Sequence, residues 1–154
     1  MTDEHLVSPL ATGQEGACEL EMDITPNKAQ TVGFQLMNDK GEKTDIYLDL
    51  KAGRLVMDRT QSGLVAFGEK SEPHAKETDD HRKTESVNYV NDFALGTWAP
   101  LSLCEGKTYH LNVFVDKCSV EIFVDGGRIA MTNLSSRQFL TMHCISIHKV
   151  ARLK

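Results

Sequence analysis

The chain has 154 residues, a length typical of one domain that can bury a core without a metal ion or a disulfide. Its net charge of −5 argues against nucleic acid as a partner, since phosphates require a basic face, and against docking on an anionic membrane. No apolar run approaches the roughly 20 residues of a membrane-spanning helix.

Period-two alternation of apolar side chains predicts strands through the first 60 residues. In the third of them the alternation places Tyr47 on one face with Asp45 and Asp49, opposite an apolar face. No amphipathic stretch of helical length appears. The predicted strands are residues 17–24, 31–37, 44–50 and 54–59.

Residues 69–85 break this pattern. Ten of these seventeen residues are charged, and none has a large apolar side chain. Such a segment cannot bury enough surface to fix a strand, so a long mobile loop is predicted here. Residues 98–101 are interpreted as a packed irregular connection in which Trp98 is a core or interface anchor.

The clearest segment is 107–133, where apolar residues alternate over 109–115 and again over 118–124, with turns between. A last strand is predicted at about 139–149. Short strands at this spacing, with no helices between them, predict a single all-β domain over residues 1–154. The expected fold is a two-sheet antiparallel β-sandwich of jelly-roll or concanavalin-like type, built from a meander of hairpins.

The outer face of the hairpin at 109–124 carries Phe114 and Phe123 beside Glu121. Two phenylalanines make this face more apolar than solvation of a sheet requires. The face is therefore a candidate contact surface for something outside this chain. The alternative is ordinary scatter, because isolated exposed aromatic residues are common.

Two motifs resemble a known family. Residues 114–127 (FVDKCSVEIFVDGG) are similar to the hairpin signature of the C-terminal β-sandwich in glycoside hydrolase family 32, the levanases, inulinases and invertases. Residues 57–63 (MDRTQSG) resemble the Asp-Arg-Ser-x-Ser-Gly segment of that module, and residues 99–101 (APL) also fit. Residues 131–139 follow the family's Thr-x-Arg-x-Phe/Tyr-Pro ending only loosely.

The resemblance implies that the catalytic part is absent from this chain. In that family the chemistry belongs to an amino-terminal five-bladed propeller, with an aspartate in Asn-Asp-Pro-Asn-Gly, one in Arg-Asp-Pro and a glutamate in Glu-Cys. Asp39 lies in a sequence like the first motif, but the Pro-Asn is missing, and it is interpreted as a turn residue. The expected function is a non-catalytic module that braces the propeller of a fructan- or sucrose-hydrolysing enzyme. The parent protein is expected to be secreted or periplasmic, and no cofactor is implied.

Independent chemistry has little support in the residues. Asp45 and Asp49 lie four positions apart on one strand, roughly 13 Å, which is too far for the carboxylate pair of a retaining glycosidase. Asp58 is expected to approach Asp49 across the hairpin, on a solvated or salt-bridged surface. His143 and His148 should point to opposite faces of their strand, so no metal site is predicted. The four cysteines form no Cys-x-x-Cys pair and are expected to be buried as small hydrophobes, with a disulfide as the alternative.

Two other functions remain open. Carbohydrate sites combine aromatic faces with Asp, Asn or Arg side chains, and Tyr47, Trp98, Asp58 and Arg59 supply these residue types for fructan or sucrose. Exposed strand edges also make assembly into a homodimer a third hypothesis.

Overall fold

The computed structural model describes residues 7–9, 17–28, 30–65, 93–136 and 143–149. This described part contains strands and no helix. Its ten strands are β1 (Val7–Pro9), β2 (Cys18–Ile24), β3 (Thr31–Met37), β4 (Lys43–Asp49), β5 (Arg54–Gln61), β6 (Gly96–Pro100), β7 (Tyr109–Val115), β8 (Ser119–Val124), β9 (Ile129–Leu134) and β10 (His143–Lys149).

The strands form two antiparallel sheets. Sheet A has six strands in the order β1-β10-β3-β4-β5-β6, and sheet B has four in the order β2-β7-β8-β9. Consecutive hairpins build β3-β4-β5 and β7-β8-β9. By contrast, β2 pairs with β7, and β10 pairs with β1 and β3, which are distant in sequence. The predicted all-β sandwich with a meander of hairpins is confirmed.

The core lies between the two sheets. The alternating side chains that point inward are almost fully buried, and burial of each such side chain stabilises the fold by roughly 1.5–3 kcal/mol. The inward residues of sheet A include Phe34, Ile46, Leu48, Leu55 and Met57, and those of sheet B include Leu111, Val113, Val120, Ile122 and Val124. Period-two alternation therefore explains which strand residues point into the core.

Tyr109 begins β7 and is fully buried. Its hydroxyl accepts a hydrogen bond from the backbone N–H of Cys104 at 2.8 Å and donates one to the carbonyl of Ser102 at 3.1 Å. The side chain thus attaches the loop before β7 to the core and satisfies two backbone groups there.

The segment that resembles the family's Asp-Arg-Ser-x-Ser-Gly motif joins the two sheets. Arg59 donates to the carbonyl of Leu134 at 3.4 Å, and the N–H of Leu64 donates to the carbonyl of Ser136 at 3.2 Å. Gly63 has a φ of +123°, and a Cβ there would lie 2.5 Å from the Ser136 carbonyl oxygen. The motif is therefore a structural link between the end of β5 and the end of β9, and its glycine is required by both backbone conformation and space.

Most predicted strands lie where alternation placed them, but residues 98–101 do not form an irregular connection. Gly96–Pro100 is strand β6 and pairs with β5. Pro100 does not prevent this, because a proline at the end of an edge strand removes no required donor. Trp98 points outward and is 58% exposed, so its interpretation as a core anchor is wrong. The predicted mobile loop at 69–85 lies outside the described residues.

The cysteines are free thiols. Cys18 and Cys144 are half-buried against the core, and burial raises the pKa of the Cys144 thiol, with a smaller contribution from Cys18. Cys104 and Cys118 are exposed, because they lie in the connections before β7 and β8 and not on an inner strand face. The prediction that the cysteines are buried is therefore wrong for these two.

Candidate functional site

Two phenylalanines meet on the outer face of sheet B. Phe114 on β7 and Phe123 on β8 form a T-shaped contact with ring centroids 5.9 Å apart and planes at 80°. Such edge-to-face pairs are stabilising beyond the area they bury. Phe114 remains 38% exposed. We call these two side chains the phenylalanine patch.

Shallow depressions flank the phenylalanine patch. One lies between β2, β7 and β8 and is lined by Phe114 together with Glu19 and Glu121. Another is lined by both phenylalanines, His110 and Asn112. The strand register explains the first, since Glu19 pairs with Phe114 and Phe114 pairs with Glu121 across the sheet. The predicted contact residues Phe114, Phe123 and Glu121 thus lie together.

Acidic side chains dominate the outer face of sheet B. Its four strands contain Glu19, Glu21, Asp23 and Glu121 and no lysine or arginine. Asn112 donates to Glu19 at 3.3 Å, whereas the described part of the chain gives Glu21 and Glu121 no side-chain hydrogen bond or ion pair. Sequence analysis did not single out Glu19 and Glu21. The period-two alternation of β2 could have placed both on the outer face.

One histidine lies at the end of this acidic face. His110 Nδ1 is 2.8 Å from an Asp23 carboxylate oxygen. The hydrogen bond that the imidazole donates to Asp23, and the negative charges of Asp23, Glu21 and Asp125, raise the pKa of His110. Protonation of this imidazole is therefore favoured by its surroundings.

The outer face of sheet A carries a different set of groups. Across β4, β5 and β6 the register aligns Tyr47, Val56 and Trp98 in one row. Burial and the nearby charge of Asp58 raise the pKa of the Tyr47 phenol. The guanidinium of Arg54 lies 5.8 Å from the centroid of the Trp98 ring, a cation–π distance. Arg54 is a contact that sequence analysis missed.

The carboxylates of sheet A are held in local contacts. Asp58 lies opposite Asp45 across the hairpin, so the predicted approach of Asp58 to Asp49 is wrong. The hairpin turn closes with the pair Asp49–Arg54, and Asp58 lies four residues beyond Arg54 on β5. Asp45 is 3.5 Å from the ammonium of Lys43, and Asp49 is 3.5 Å from the guanidinium of Arg54. Asp58 accepts the backbone N–H of Thr60 at 2.9 Å. The predicted solvated or salt-bridged surface is what the structure has.

Arg59 does not join the other residues proposed for sugar contact. Tyr47, Trp98 and Asp58 share the outer face of sheet A, but Arg59 follows Asp58 directly and points the other way. Its guanidinium lies 4.3 Å from the Phe93 ring centroid, and burial lowers its pKa. Adjacent residues on a strand cannot line one face, so alternation itself could have separated this pair.

Within residues 7–9, 17–28, 30–65, 93–136 and 143–149, no three His, Cys, Asp or Glu side chains are grouped as metal ligands would be. His143 Nε2 lies 2.6 Å from an Asp39 carboxylate oxygen, a hydrogen-bonding distance. No helix in the described residues has the length and apolar character needed to cross a membrane.

Residues 2–136 match the family model described as "Glycosyl hydrolases family 32 C terminal". The chain belongs to this family. Levanase of Bacillus subtilis is 29% identical over 125 residues, which cover 79% of this chain and 15% of the levanase. Sucrose-6-phosphate hydrolase of Zymomonas mobilis is 28% identical over 123 residues, with 79% and 18% covered. The chain thus spans less than a fifth of the length of these curated relatives.

Solved structures share the fold. Exo-inulinase from Aspergillus awamori aligns with a TM-score of 0.63 at 20% identity, covering 94% of this chain and 26% of that one. A fructosyltransferase from A. japonicus gives 0.59 at 17% identity, with 94% and 23% covered. A human galectin-16 variant gives 0.57 at 15% identity, with 96% and 89% covered. At these identities the likeness concerns the sandwich architecture alone.

Proposed function

We propose that this chain is a non-catalytic module of a fructan- or sucrose-hydrolysing enzyme and that it braces the catalytic propeller domain. The observation that carries the proposal is the family match over residues 2–136, a stretch that corresponds to less than a fifth of two relatives named levanase and sucrose-6-phosphate hydrolase. The remaining part of such an enzyme would then supply the hydrolytic chemistry.

The placement of the carboxylates supports a non-catalytic role. Asp45 and Asp58 face each other on the open outer side of a sheet, and each has a local partner in Lys43 or Thr60. Glycoside hydrolysis needs a carboxylate pair inside a site that encloses the sugar and displaces water. An open strand face does not provide that enclosure.

The phenylalanine patch is the surface that we assign to the propeller. It combines an exposed aromatic ring with adjoining depressions that a protruding side chain can fill. Aromatic residues in desolvated positions often carry much of the binding energy of a protein interface. Covering Phe114 and Phe123 would thus link unfolding of the module to that of its partner domain.

The test compares the intact parent enzyme with its catalytic domain expressed without this module. The proposal predicts a lower melting temperature and lower solubility for the shortened enzyme, and no hydrolysis of levan, inulin or sucrose by the 154-residue chain alone. Unchanged melting and solubility would reject bracing, and hydrolysis by the isolated chain would reject the non-catalytic assignment.

Carbohydrate contact is the second candidate function. The observation in its favour is that Tyr47, Asp58 and Trp98 share the outer face of sheet A, with Trp98 58% exposed. Exposed rings and carboxylates are the groups with which proteins hold sugars. Titration of the chain with levan, inulin or sucrose should then release heat that Trp98→Ala abolishes and Phe114→Ala leaves unchanged. Absence of heat at millimolar sugar would reject this function.

A homodimer is the third hypothesis, formed through exposed strand edges or through the phenylalanine patch. Light scattering of the chain distinguishes the two occupants. A monomer leaves the patch for the propeller, whereas a dimer that Phe114→Ser dissociates would assign it to self-association.

A further inference from the structure

Charge on the outer face of sheet B is distributed around the phenylalanine patch. In the cross-strand row Glu19–Phe114–Glu121, a carboxylate lies on each side of the exposed ring. Both carboxylates line the same depression as Phe114. The apolar centre of this surface is therefore bordered by negative charge on both neighbouring strands.

The strands of sheet B place no cation beside Glu19 or Glu121, and their histidine, His110, contacts Asp23 instead. None of β2, β7, β8 and β9 contains a lysine or an arginine. The outer face of sheet A differs, because Lys43 and Arg54 each lie 3.5 Å from a carboxylate oxygen of the same sheet. If a neutral or acidic partner surface covered these carboxylates, they would lose their hydrating water without gaining a counter-charge. Such burial is unfavourable.

We infer that the surface docked on the phenylalanine patch is basic, with lysine or arginine side chains opposite Glu19 and opposite Glu121. Complementary potentials of this kind fix the orientation of two surfaces and exclude wrong partners. Arginine suits the position best, since its planar guanidinium can pair with a carboxylate and stack on an aromatic ring. This inference rests on the proposed function, because it specifies the chemistry of the propeller surface that the module contacts.

The experiment compares one double variant in two contexts. Glu19→Gln with Glu121→Gln is introduced into the 154-residue chain and into the intact parent enzyme, and the melting temperature of the module is measured by calorimetry at low and high salt. Glutamine keeps the shape and the acceptor that Asn112 uses at Glu19. In the isolated chain the loss of like-charge repulsion should raise the melting temperature by about 1 °C.

In the parent enzyme the same double variant should lower the melting temperature by about 2–4 °C at low salt, because it removes attraction to the basic partner. This difference should shrink at high salt, where charges are screened. Asp45→Asn on sheet A is the matched control and should shift both contexts in the same direction and by a similar amount.

A rise of the melting temperature in both contexts would overturn the inference and indicate a neutral or acidic partner surface. Phe114→Ser separates that result from failure of the proposed function. If this variant lowers the melting temperature far more in the parent than in the isolated chain, docking at the patch stands even when the inference fails. Equal shifts in the two contexts would reject the docking itself.

Discussion

The two outer faces of the sandwich differ in how their groups are satisfied. On sheet A, charged side chains lie next to partners from the same sheet, as in the pairs Lys43–Asp45 and Arg54–Asp49. Its exposed aromatic residue, Trp98, lies near the Arg54 guanidinium. On sheet B the strands carry acids, one histidine and no lysine or arginine, and the exposed Phe114 contacts only another phenylalanine ring among the aromatic and cation–π contacts of the described residues.

This difference supports the proposal that sheet B is the docking face. The ion pairs of sheet A are partly exposed and formed within the sheet, and such pairs contribute little to stability. Sheet B combines an apolar centre with carboxylates, Glu19 and Glu121, that have no cation beside them, and a complementary surface would bury the first and pair with the second. The comparison thus favours sheet B as the docking face.

The largest effect is expected in the core that both faces share. Ile122 is fully buried on the inner side of β8, next to Phe123, which points to the outer side of the same strand. Ile122→Ala should lower the free energy of unfolding by about 2–5 kcal/mol, because it removes buried methyl groups and leaves a cavity. Urea denaturation monitored by circular dichroism measures this. A change well below 1 kcal/mol would contradict the packing described for sheet B.

A smaller loss is expected where the Tyr109 hydroxyl holds the loop before β7. Tyr109→Phe leaves the Cys104 N–H and the Ser102 carbonyl without this partner. The free energy of unfolding should fall by about 1–3 kcal/mol in the same denaturation assay. Tyr47→Phe on sheet A is the control, and because that hydroxyl has no hydrogen bond among those of the described side chains, it should change little.

Removing a single charge from each outer face should change the stability of the isolated chain in opposite directions. Arg54→Ala removes the contacts with Asp49 and Trp98 and should destabilise the fold by about 0.5–1 kcal/mol. At a pH where His110 is neutral, Glu21→Gln removes a charge among acidic neighbours and should stabilise the fold by roughly 0.3 kcal/mol. Thermal melts at low salt measure both variants. Shifts of the same sign would remove the contrast between the faces.

The smallest effect concerns pH. The pKa of His110 is raised above its ordinary 6.5 by Asp23, so this interaction stabilises the folded state fully below pH 6.5 and is lost as pH rises through the raised value. Asp23→Ala should return the His110 pKa toward 6.5, because it removes both the hydrogen bond and the charge. NMR titration of the imidazole tests this, with His143 as the control. An unchanged His110 pKa would exclude the Asp23 contact.

Alternation predicted the strands well because it follows directly from the geometry of an extended chain. Strand β3 occupies the predicted residues 31–37. Strand β6 was missed, since its five residues include a glycine and a proline that usually interrupt strands. The three-residue strand β1 is too short to show a period.

The pairing of distant strands could not be predicted from alternation, which gives the face of a residue but not its neighbour across the sheet. The order that places β2 beside β7, and Glu19 beside Phe114, came only from the structure. The contact of Phe114 with Phe123 was predictable because one tight hairpin joins their strands. The wrong partner for Asp58 came from the unknown hairpin register.

The most direct test of the account is carboxyl-group footprinting of this chain, alone and within its parent enzyme, read by mass spectrometry. Labelling with a carbodiimide and an amine reports which carboxylates are accessible. If sheet B is the docking face, Glu19, Glu21 and Glu121 are labelled in the isolated chain and protected in the parent, while Asp45 and Asp58 on sheet A are labelled equally in both. Protection of the sheet A carboxylates, with sheet B labelled alike in both samples, would contradict it.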